Sequence, residues 1–244
     1  MKIDCIDFIK SNEMSEKIVT LLHAFFEQPG YISNWAEQND FEIEEIHCWK
    51  KPEYPDPKEV RRLLIMGGPM GVYQTKEFPW LIEEIKFIRA VIDAGNKVLG
   101  ICLGSQLISA AMGAKVYLNE KPEIGWFDLN WNSDAFKHPL SYGVSSRSKV
   151  FHYHSDTFDL PENALLLASS QATKNQAYAL GDNVLALQFH MEVNHDLLED
   201  MLFHGEELVP DTYVQPVKRI WEGIYDVMQN HTDLATILEN IYCD

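Results

Sequence analysis

Short, nearly continuous apolar runs alternate with amphipathic stretches through the first half of the chain. The runs at residues 61–66, 97–102 and 184–189 are typical of parallel strands that are buried on both faces. Strands are also predicted at residues 1–9 and 42–49, with a helical stretch near residues 14–26 between them. Pro79 opens a further predicted helix, which Gly95 ends, and a short helix is predicted at residues 104–112.

The second half of the chain has a different pattern. It contains six candidate strands with little helix between them, at residues 114–118, 127–131, 149–153, 164–169, 176–180 and 184–189. Helices return after His195, where apolar residues at helical spacing predict one core-facing helix: Val217, Ile220, Trp221, Ile224, Val227 and Met228. The predicted fold is therefore α/β in three layers, with a mostly parallel central sheet flanked by helices and a small added antiparallel region.

Composition narrows the class of protein. The 244 residues show no internal repeat and no long linker, so residues 1–244 are predicted to form a single domain. The net charge of −17 repels nucleic acid and anionic lipid, so neither is expected as a partner. No apolar run is long enough to span a membrane, and charges near the start replace the apolar stretch of a signal peptide. Four scattered cysteines without a Cys-x-x-Cys pair complete the prediction of a cytoplasmic protein.

One cysteine lies at a predicted strand-to-helix junction, in Gly100-Ile101-Cys102-Leu103-Gly104. A sharp turn there would expose the central residue at the carboxyl edge of the sheet, and the flanking glycines would relieve the crowding of the turn. The N-terminus of a helix also favours a thiolate over a thiol. Cys102 is thus a candidate nucleophile, although a short motif of this kind is equally compatible with a buried core cysteine.

A candidate base follows another apolar run, at residues 184–189. His190 and Glu192 come directly after it, and residues two apart in an extended chain face the same side. Glu192 can therefore orient one nitrogen of the His190 ring while the other faces Cys102. An isolated pair of this kind would more often lie on the surface, but its combination with Cys102 favours catalysis.

Four ordered segments show that the sequence resembles the class I glutamine amidotransferases, which use a Cys–His–Glu triad. They are MGGPMGVY at residues 66–73, GICLGSQL at 100–107, FHYHSDTFDLP at 151–161 and LQFHMEV at 187–193. The resemblance is closest to standalone members similar to the glutaminase of GMP synthetase, some of which resemble γ-glutamyl peptidases. It implies a flavodoxin-like fold whose motif-bearing core spans about residues 61–193, followed by helices at 195–244.

The resemblance assigns roles to residues. It implies that Cys102 is the nucleophile, His190 the acid and base, and Glu192 the orienting carboxylate, with backbone N–H groups of Gly68 and Leu103 in the oxyanion hole. The implied substrate-binding residues are Met70, Gln106, Tyr153, His154, Ser155 and Asp156. No cofactor is implied. The chain departs from common family residues at Ser105, Ser155 and Met191, which leaves the substrate less defined than the mechanism.

Several alternatives remain open. His152, His154 and Asp156 could share one face as a metal site, but the family resemblance favours a strand end that lines the cleft, and no metal is expected. The residues after Val193 are predicted to be helices, so an ammonia-accepting synthase is expected on a separate chain, if one exists. A free-standing γ-glutamyl peptidase and a non-catalytic or redox-sensing relative that uses Cys102 are further candidates. A dienelactone-hydrolase-type enzyme is disfavoured because His190 precedes Glu192.

Overall fold

In the computed structural model, residues 16–205 and 207–243 are described. The strands and helices follow one another as β1 (Glu16–Leu22), α1 (Tyr31–Gln38), β2 (Phe41–His47), β3 (Arg62–Ile65), α2 (Trp80–Asp93), β4 (Lys97–Ile101), α3 (Leu103–Ala111), β5 (Val116–Trp131), β6 (Ser148–Phe158), β7 (Leu165–Ser169), β8 (Ala177–Leu180), β9 (Val184–Leu187), α4 (His195–His204), α5 (Val217–Gly223) and α6 (Met228–Tyr242). Short 3-10 turns lie at Cys48–Lys50, Pro139–Ser141 and Ile224–Asp226.

The strands form one sheet in the order β2-β1-β3-β4-β9-β8-β7-β5-β6. The first five strands in this order run parallel, and the last four continue the sheet with antiparallel pairings. The three strands predicted as interior, β3, β4 and β9, are neighbours in the middle of the sheet. The predicted parallel sheet with an added antiparallel region is confirmed.

Successive residues of the parallel strands face opposite sides of the sheet, and each side has its own core. On β4, Val98 packs with the apolar residues of α2 and α3, whereas Leu99 packs with those of α1 and α6. Helices therefore cover both faces, which explains why these strands carry apolar residues at nearly every position. A third cluster, which includes Trp126 and Ile220, lies where α4 and α5 meet the β5–β6 pair.

The predicted helix near residues 14–26 is wrong, because residues 16–22 form β1. Five consecutive residues of β1, 18–22, are buried, and the strand pairs in parallel with both β2 and β3. This short segment, apolar except for Thr20, has no helical periodicity, and the β-branched Ile18 and Val19 favour the strand. The strand predicted at residues 1–9 lies outside the described residues. No predicted element covers α1 (Tyr31–Gln38).

Two predicted strands, at residues 114–118 and 127–131, are parts of the single long strand β5. It pairs with β6 along most of its length, and the register shifts between Leu118 and Glu123. The irregular, polar stretch around this shift is what separates the two apolar segments in the sequence.

The predicted single helix through Val217 and Met228 is wrong, because the chain breaks there into α5, a 3-10 turn and α6. Ile220 and Ile224 are buried as expected, but Val217 and Met228 are 43% and 71% exposed. The end of α5 packs closely against Trp126, and only glycine fits at position 223, since a Cβ atom there would overlap the Trp126 ring. No helix among residues 16–205 and 207–243 is long and apolar enough to cross a membrane.

Candidate active site

Cys102 occupies a strained turn between β4 and α3. Its φ of 51° and ψ of −108° lie in a region that side chains rarely adopt. Both flanking glycines are needed: a Cβ on Gly100 would lie 2.6 Å from the backbone of Gly104, and a Cβ on Gly104 would overlap the carbonyl oxygen of Ile65. The turn therefore has the geometry expected of a nucleophile elbow.

Strand pairing brings His190 to the same edge of the sheet. β4 and β9 are parallel neighbours, with Ile101 beside Leu187, and the Cys102 N–H donates to the Leu187 carbonyl at 2.8 Å. The His190 N–H donates to the Phe151 carbonyl, also at 2.8 Å. The candidate nucleophile and base are thus both held by backbone hydrogen bonds at the carboxyl ends of adjacent strands.

The imidazole of His190 lies between the carboxylate of Glu192 and the thiol of Cys102. Its Nδ1 donates to Glu192 Oε1 at 2.6 Å, and both side chains are 1% exposed. Its Nε2 is buried and makes no hydrogen bond of standard geometry to the described residues, although the thiol acts on the ring electrostatically. The Cys102 Sγ lies 3.8 Å from the Tyr153 carbonyl oxygen. Such looseness is common before substrate binds.

Charges in the site act on both groups. Burial alone would lower the pKa of His190, but Glu192 and Cys102 outweigh it, so the pKa lies well above its ordinary value. Burial raises the pKa of the Cys102 thiol, and His190 opposes that rise. The sequence predicts a helix N-terminus that favours thiolate; in the structure, burial leaves the pKa of the thiol above its ordinary value. Cys102 thus favours a proton on the His190 ring, and the ring favours loss of the proton from the Cys102 thiol.

Two backbone N–H groups lie beside the thiol at the edge of the cleft. Leu103 is the first residue of α3, where the N–H has no partner within the helix. The N–H of Gly68 finds no acceptor among the residues described here. A Cβ on Gly68 would come within 2.8 Å of His23, Leu103 and Met70, so only glycine allows the loop to approach α3 this closely.

The cleft above Cys102 has a volume of about 490 Å³. Its lining includes all the substrate-binding residues that the resemblance implies: Met70, Gln106, Tyr153, His154, Ser155 and Asp156. Gln106 is held by a hydrogen bond from its Nε2 to Gln188 Oε1 at 3.1 Å. Tyr73 donates to Asp156 Oδ1 at 3.2 Å on the same side of the cleft. The sequence did not single out Tyr73 or Gln188.

The residues at which the chain departs from the family pattern have separate environments. Ser105 is fully buried and its hydroxyl donates to the Cys102 carbonyl at 2.7 Å, which supports the turn. Met191 is buried in the core between His190 and Glu192. Only Ser155 is exposed and lines the cleft. Of the three, Ser155 is therefore the one that can contact a substrate.

A buried carboxylate, Glu123, lies beside the histidines that were considered as metal ligands. Its Oε2 lies 3.5 Å from His154 Nε2 and 3.8 Å from His152 Nδ1. The same oxygen accepts hydrogen bonds from Ser170, Thr173 and Gln176. The sequence placed only Asp156 with these histidines; the structure adds Glu123, from β5. Because its lone pairs already have donors, Glu123 is suited to holding the Tyr153–Asp156 segment in place.

Glu27 is a second carboxylate beside His190, the candidate base, and sequence reasoning missed it. It is 7% exposed, it lines the cleft, and a Cβ on Gly67 would overlap its Oε2. No side chain in the described ranges forms a hydrogen bond or an ion pair with it. Burial raises its pKa to about 7, against the opposing effect of His190 and His23. No motif marked it in the sequence, since Glu27 lies five residues beyond the end of β1 at Leu22.

The glutamine amidotransferase class-I family model matches residues 26–206 of this chain. The matched span contains Cys102, His190, Glu192 and every residue that lines the cleft. The chain belongs to the class I glutamine amidotransferase family. Its fold is accordingly the flavodoxin-like α/β arrangement of that family, as the sequence predicts.

Proteins with similar sequences carry names that describe different activities. The glutamine amidotransferase-like protein YfeJ of Salmonella typhimurium is 31% identical over 78% of this chain and 82% of its own. Gamma-glutamyl peptidase 4 of Arabidopsis thaliana is 32% identical over 62% of each chain. A glutamine-hydrolysing GMP synthase of Bdellovibrio bacteriovorus is 32% identical over 62% of this chain, which spans 28% of that enzyme.

Solved structures show the same fold over nearly the whole chain. The crystal structure of SMU.1228c is similar with a TM-score of 0.85 and 27% identity, covering 91% of this chain and 98% of the other. A glutamine amidotransferase from Thermotoga maritima, tm1158, has a TM-score of 0.82 and 26% identity, covering 92% and 97%.

Proposed function

We propose that this protein hydrolyses the γ-amide of glutamine, or of a γ-glutamyl compound, through a thioester on Cys102. The observation that carries the proposal is the buried arrangement of the Cys102 elbow, the His190 ring and the Glu192 carboxylate at one end of the cleft. A 2.6 Å bond between His190 Nδ1 and Glu192 Oε1 fixes the ring so that its second nitrogen serves the thiol.

In the first half of the reaction, His190 Nε2 takes the thiol proton and the sulfur of Cys102 attacks the γ-carbonyl carbon. The carbonyl oxygen becomes an oxyanion, which accepts hydrogen bonds from the N–H groups of Gly68 and Leu103. The tetrahedral intermediate then collapses: the C–N bond breaks, and His190 returns the proton to the departing nitrogen. Ammonia or an amine leaves, and the γ-glutamyl group remains on Cys102 as a thioester.

The second half releases the acid product. His190 removes a proton from water, whose oxygen attacks the thioester carbon with the same two N–H groups around the oxyanion. The C–S bond breaks, and Cys102 leaves as a thiolate that regains the proton from His190. Glutamate is the product, and the site returns to its starting state without any cofactor.

Substrate orientation follows from the lining of the cleft. Met70, Gln106 and the 153–156 segment are placed to hold the α-amino and α-carboxylate groups. Phe26, Glu27 and His204 also line the cleft, and we place the leaving group beside them. The γ-carbonyl of a substrate held in this way would lie at Cys102.

A second candidate is a free-standing γ-glutamyl peptidase. It is favoured by the aromatic side chains beside which the leaving group is placed. Phe26 and His204 stack with centroids 5.2 Å apart, and the 61% exposed Phe25 extends the same surface outward. Ammonia needs no such surface, whereas an amino acid or peptide leaving group could pack on it. The alternative to this candidate is a glutaminase that passes ammonia to a synthase on a separate chain.

The experiment is a hydrolysis screen with the purified protein, in which ammonia and glutamate are measured separately. Glutamine and a series of γ-glutamyl dipeptides are compared, and the trapped thioester is sought by intact mass in the wild type and in Cys102→Ala. Ammonia from glutamine supports the glutaminase, and glutamate from dipeptides alone supports the peptidase. Rapid alkylation of Cys102 with no hydrolysis of any substrate, with or without a synthase, would contradict the proposal and favour a redox-sensing protein.

A further inference from the structure

A second histidine–carboxylate pair is buried behind the loop that carries Gly68. His23, directly after β1, is 2% exposed, and its Nδ1 donates to the Gly67 carbonyl oxygen at 2.9 Å. Its Nε2 donates to Oε1 of Glu84, a fully buried residue of α2, at 2.7 Å. His23 does not line the cleft, so its link to the site runs through the loop.

The Gly67 carbonyl oxygen, which His23 contacts, belongs to the same peptide group as the Gly68 N–H of the candidate oxyanion hole. The Gly67 carbonyl and the Gly68 N–H are the two ends of one planar peptide, and in the trans form they point in opposite directions. Holding the oxygen toward His23 therefore aims the N–H away from it, toward the cleft. Two glycines in succession give this peptide little resistance of its own to rotation, so an external bond is needed to fix it.

A positive charge on the His23 ring strengthens its hydrogen bond to the Gly67 carbonyl oxygen. Burial alone would lower the pKa of His23, but Glu84 and Cys48 outweigh it, and the pKa lies well above its ordinary value. The ring is then an imidazolium that donates from both nitrogens, and a charged donor on a carbonyl makes the N–H of the same peptide a stronger donor. The groups facing the ring are Glu84, the Cys48 thiol, the Trp80 ring, stacked at 5.8 Å, and the Glu27 carboxyl.

We propose that His23, oriented by Glu84, is a positioning residue that holds the Gly67–Gly68 peptide with its N–H directed at the developing oxyanion. This inference rests on the proposed thioester reaction for its effect on rate, but the contact itself can be tested without turnover. His23, Cys48 and Glu84 also form a group of possible metal ligands. The 2.7 Å separation of His23 and Glu84 is that of a hydrogen bond, since ligands around a zinc ion are more than about 3 Å apart.

The test compares His23→Leu, which removes both donors, with His23→Asn, whose side-chain amide can replace Nδ1. For the substrate found in the screen, we expect His23→Leu to lower kcat by about 10- to 100-fold with little change in KM. His23→Asn should recover most of that loss. Alkylation of Cys102 by iodoacetamide forms no oxyanion, so its rate should be nearly the same in all three proteins.

A turnover-independent measurement uses the amide resonance of Gly68 in ¹⁵N-labelled protein. Because that nitrogen shares its peptide with the Gly67 carbonyl, the resonance should shift in His23→Leu and remain close to its wild-type position in His23→Asn. The matched control is Tyr242→Phe. It removes a different buried hydrogen bond from a side chain to a backbone carbonyl, that of Leu63 in β3, at 2.8 Å. It should cost stability without changing kcat or the Gly68 resonance.

The outcomes separate the two proposals. An unchanged Gly68 resonance in a folded His23→Leu protein, or a kcat loss no larger than that of Tyr242→Phe, would overturn the positioning role. If the wild type hydrolyses no substrate but the resonance shifts as expected, the proposed reaction fails while the hold of His23 on the peptide stands.

Discussion

Two of the buried histidine–carboxylate pairs among the described residues have nearly equal geometry and lie on the same edge of the sheet. His190 and Glu192 are 2.6 Å apart, and His23 and Glu84 are 2.7 Å apart. In each pair the second carboxylate oxygen is buried without a hydrogen-bond partner among the described residues. In each, the carboxylate raises the pKa of the histidine above its ordinary value against the effect of burial.

The pairs differ in what meets the other ring nitrogen. In His190 it faces a thiol that can exchange a proton, whereas in His23 it donates to a backbone carbonyl that cannot. The same chemical unit is therefore suited to proton transfer in one place and to fixing a peptide in the other. A buried histidine whose pKa is raised by a carboxylate partner does not by itself identify a catalytic base; the third group in the chain of contacts decides the role.

Glu27 connects the two pairs. Its carboxyl interacts with both His190 and His23, which lower its pKa, and with Glu192, which raises it. A change at Glu27 should therefore affect both pairs, whereas changes within one pair should leave the other intact.

The largest effect is expected from Cys102→Ala, which removes the group on which the His190 pair acts. Hydrolysis should fall by about 10⁶-fold, to the background rate, because the reaction loses its nucleophile. The circular dichroism spectrum should remain that of the wild type, since alanine tolerates the turn no worse than cysteine does. Cys243→Ala, at an exposed position near the end of α6, is the control and should retain full activity. A turnover of Cys102→Ala above about 1% of the wild-type rate would contradict the assignment of Cys102 as the nucleophile.

Replacing the carboxylate in each pair should distinguish them most directly. We expect Glu192→Gln to lower kcat by about 10⁴-fold, less than the loss of Cys102, because the ring loses its orientation and the stabilisation of its charge. Glu84→Gln should lower kcat by only about tenfold, since the bond from His23 to the Gly67 carbonyl can persist. Steady-state kinetics on both variants provide the comparison. Equal losses would show that the two pairs do not have different roles.

Glu27→Gln tests the carboxyl that interacts with both pairs. The measured quantity is the free energy of unfolding as a function of pH. The pKa of Glu27 is raised to about 7 from an ordinary value of 4.5, so between these pH values the folded protein binds a proton that the unfolded chain has released. The free energy of unfolding of the wild type should therefore fall as pH rises through this window, by up to about 3 kcal/mol from this residue.

The variant has no such carboxyl, so its stability relative to the wild type should increase between about pH 4.5 and 7. Urea unfolding at several pH values measures the difference, and Glu77→Gln, at an exposed position, serves as the control. A constant difference across the window would mean that burial does not hold the Glu27 carboxyl protonated.

The smallest effect is expected from Cys48→Ala, at the margin of the His23 pair. The thiol is fully buried and donates weakly to Glu84 Oε1 at 3.6 Å. We expect a loss of about 1 kcal/mol in the free energy of unfolding from the small cavity and the lost contact. The kcat should not change, because the bond from His23 to the Gly67 carbonyl stays in place. A large fall in kcat at unchanged stability would assign Cys48 a part in the reaction.

Much of the architecture could be predicted because its signals are local. Interior strands β3, β4 and β9 are apolar on both faces, and Gly100 is required by a contact with Gly104 within the same turn. The errors arose where a local pattern was ambiguous. The buried segment of β1 was too short to show a helical or an extended period, and the close packing of Gly223 against Trp126 joins residues that are distant in sequence.

The order of motifs along the sequence was sufficient to identify the family, the fold class, and Cys102, His190 and Glu192 as candidates for one site. Only the tertiary structure brought Glu27, His23 and Glu84 to that site, because they come from separate elements and carry no motif of their own. Their roles depend on burial and on distances of about 3 Å between side chains far apart in the chain. Such distances are set by the packing of helices on the sheet, which the one-dimensional pattern of apolar positions does not record.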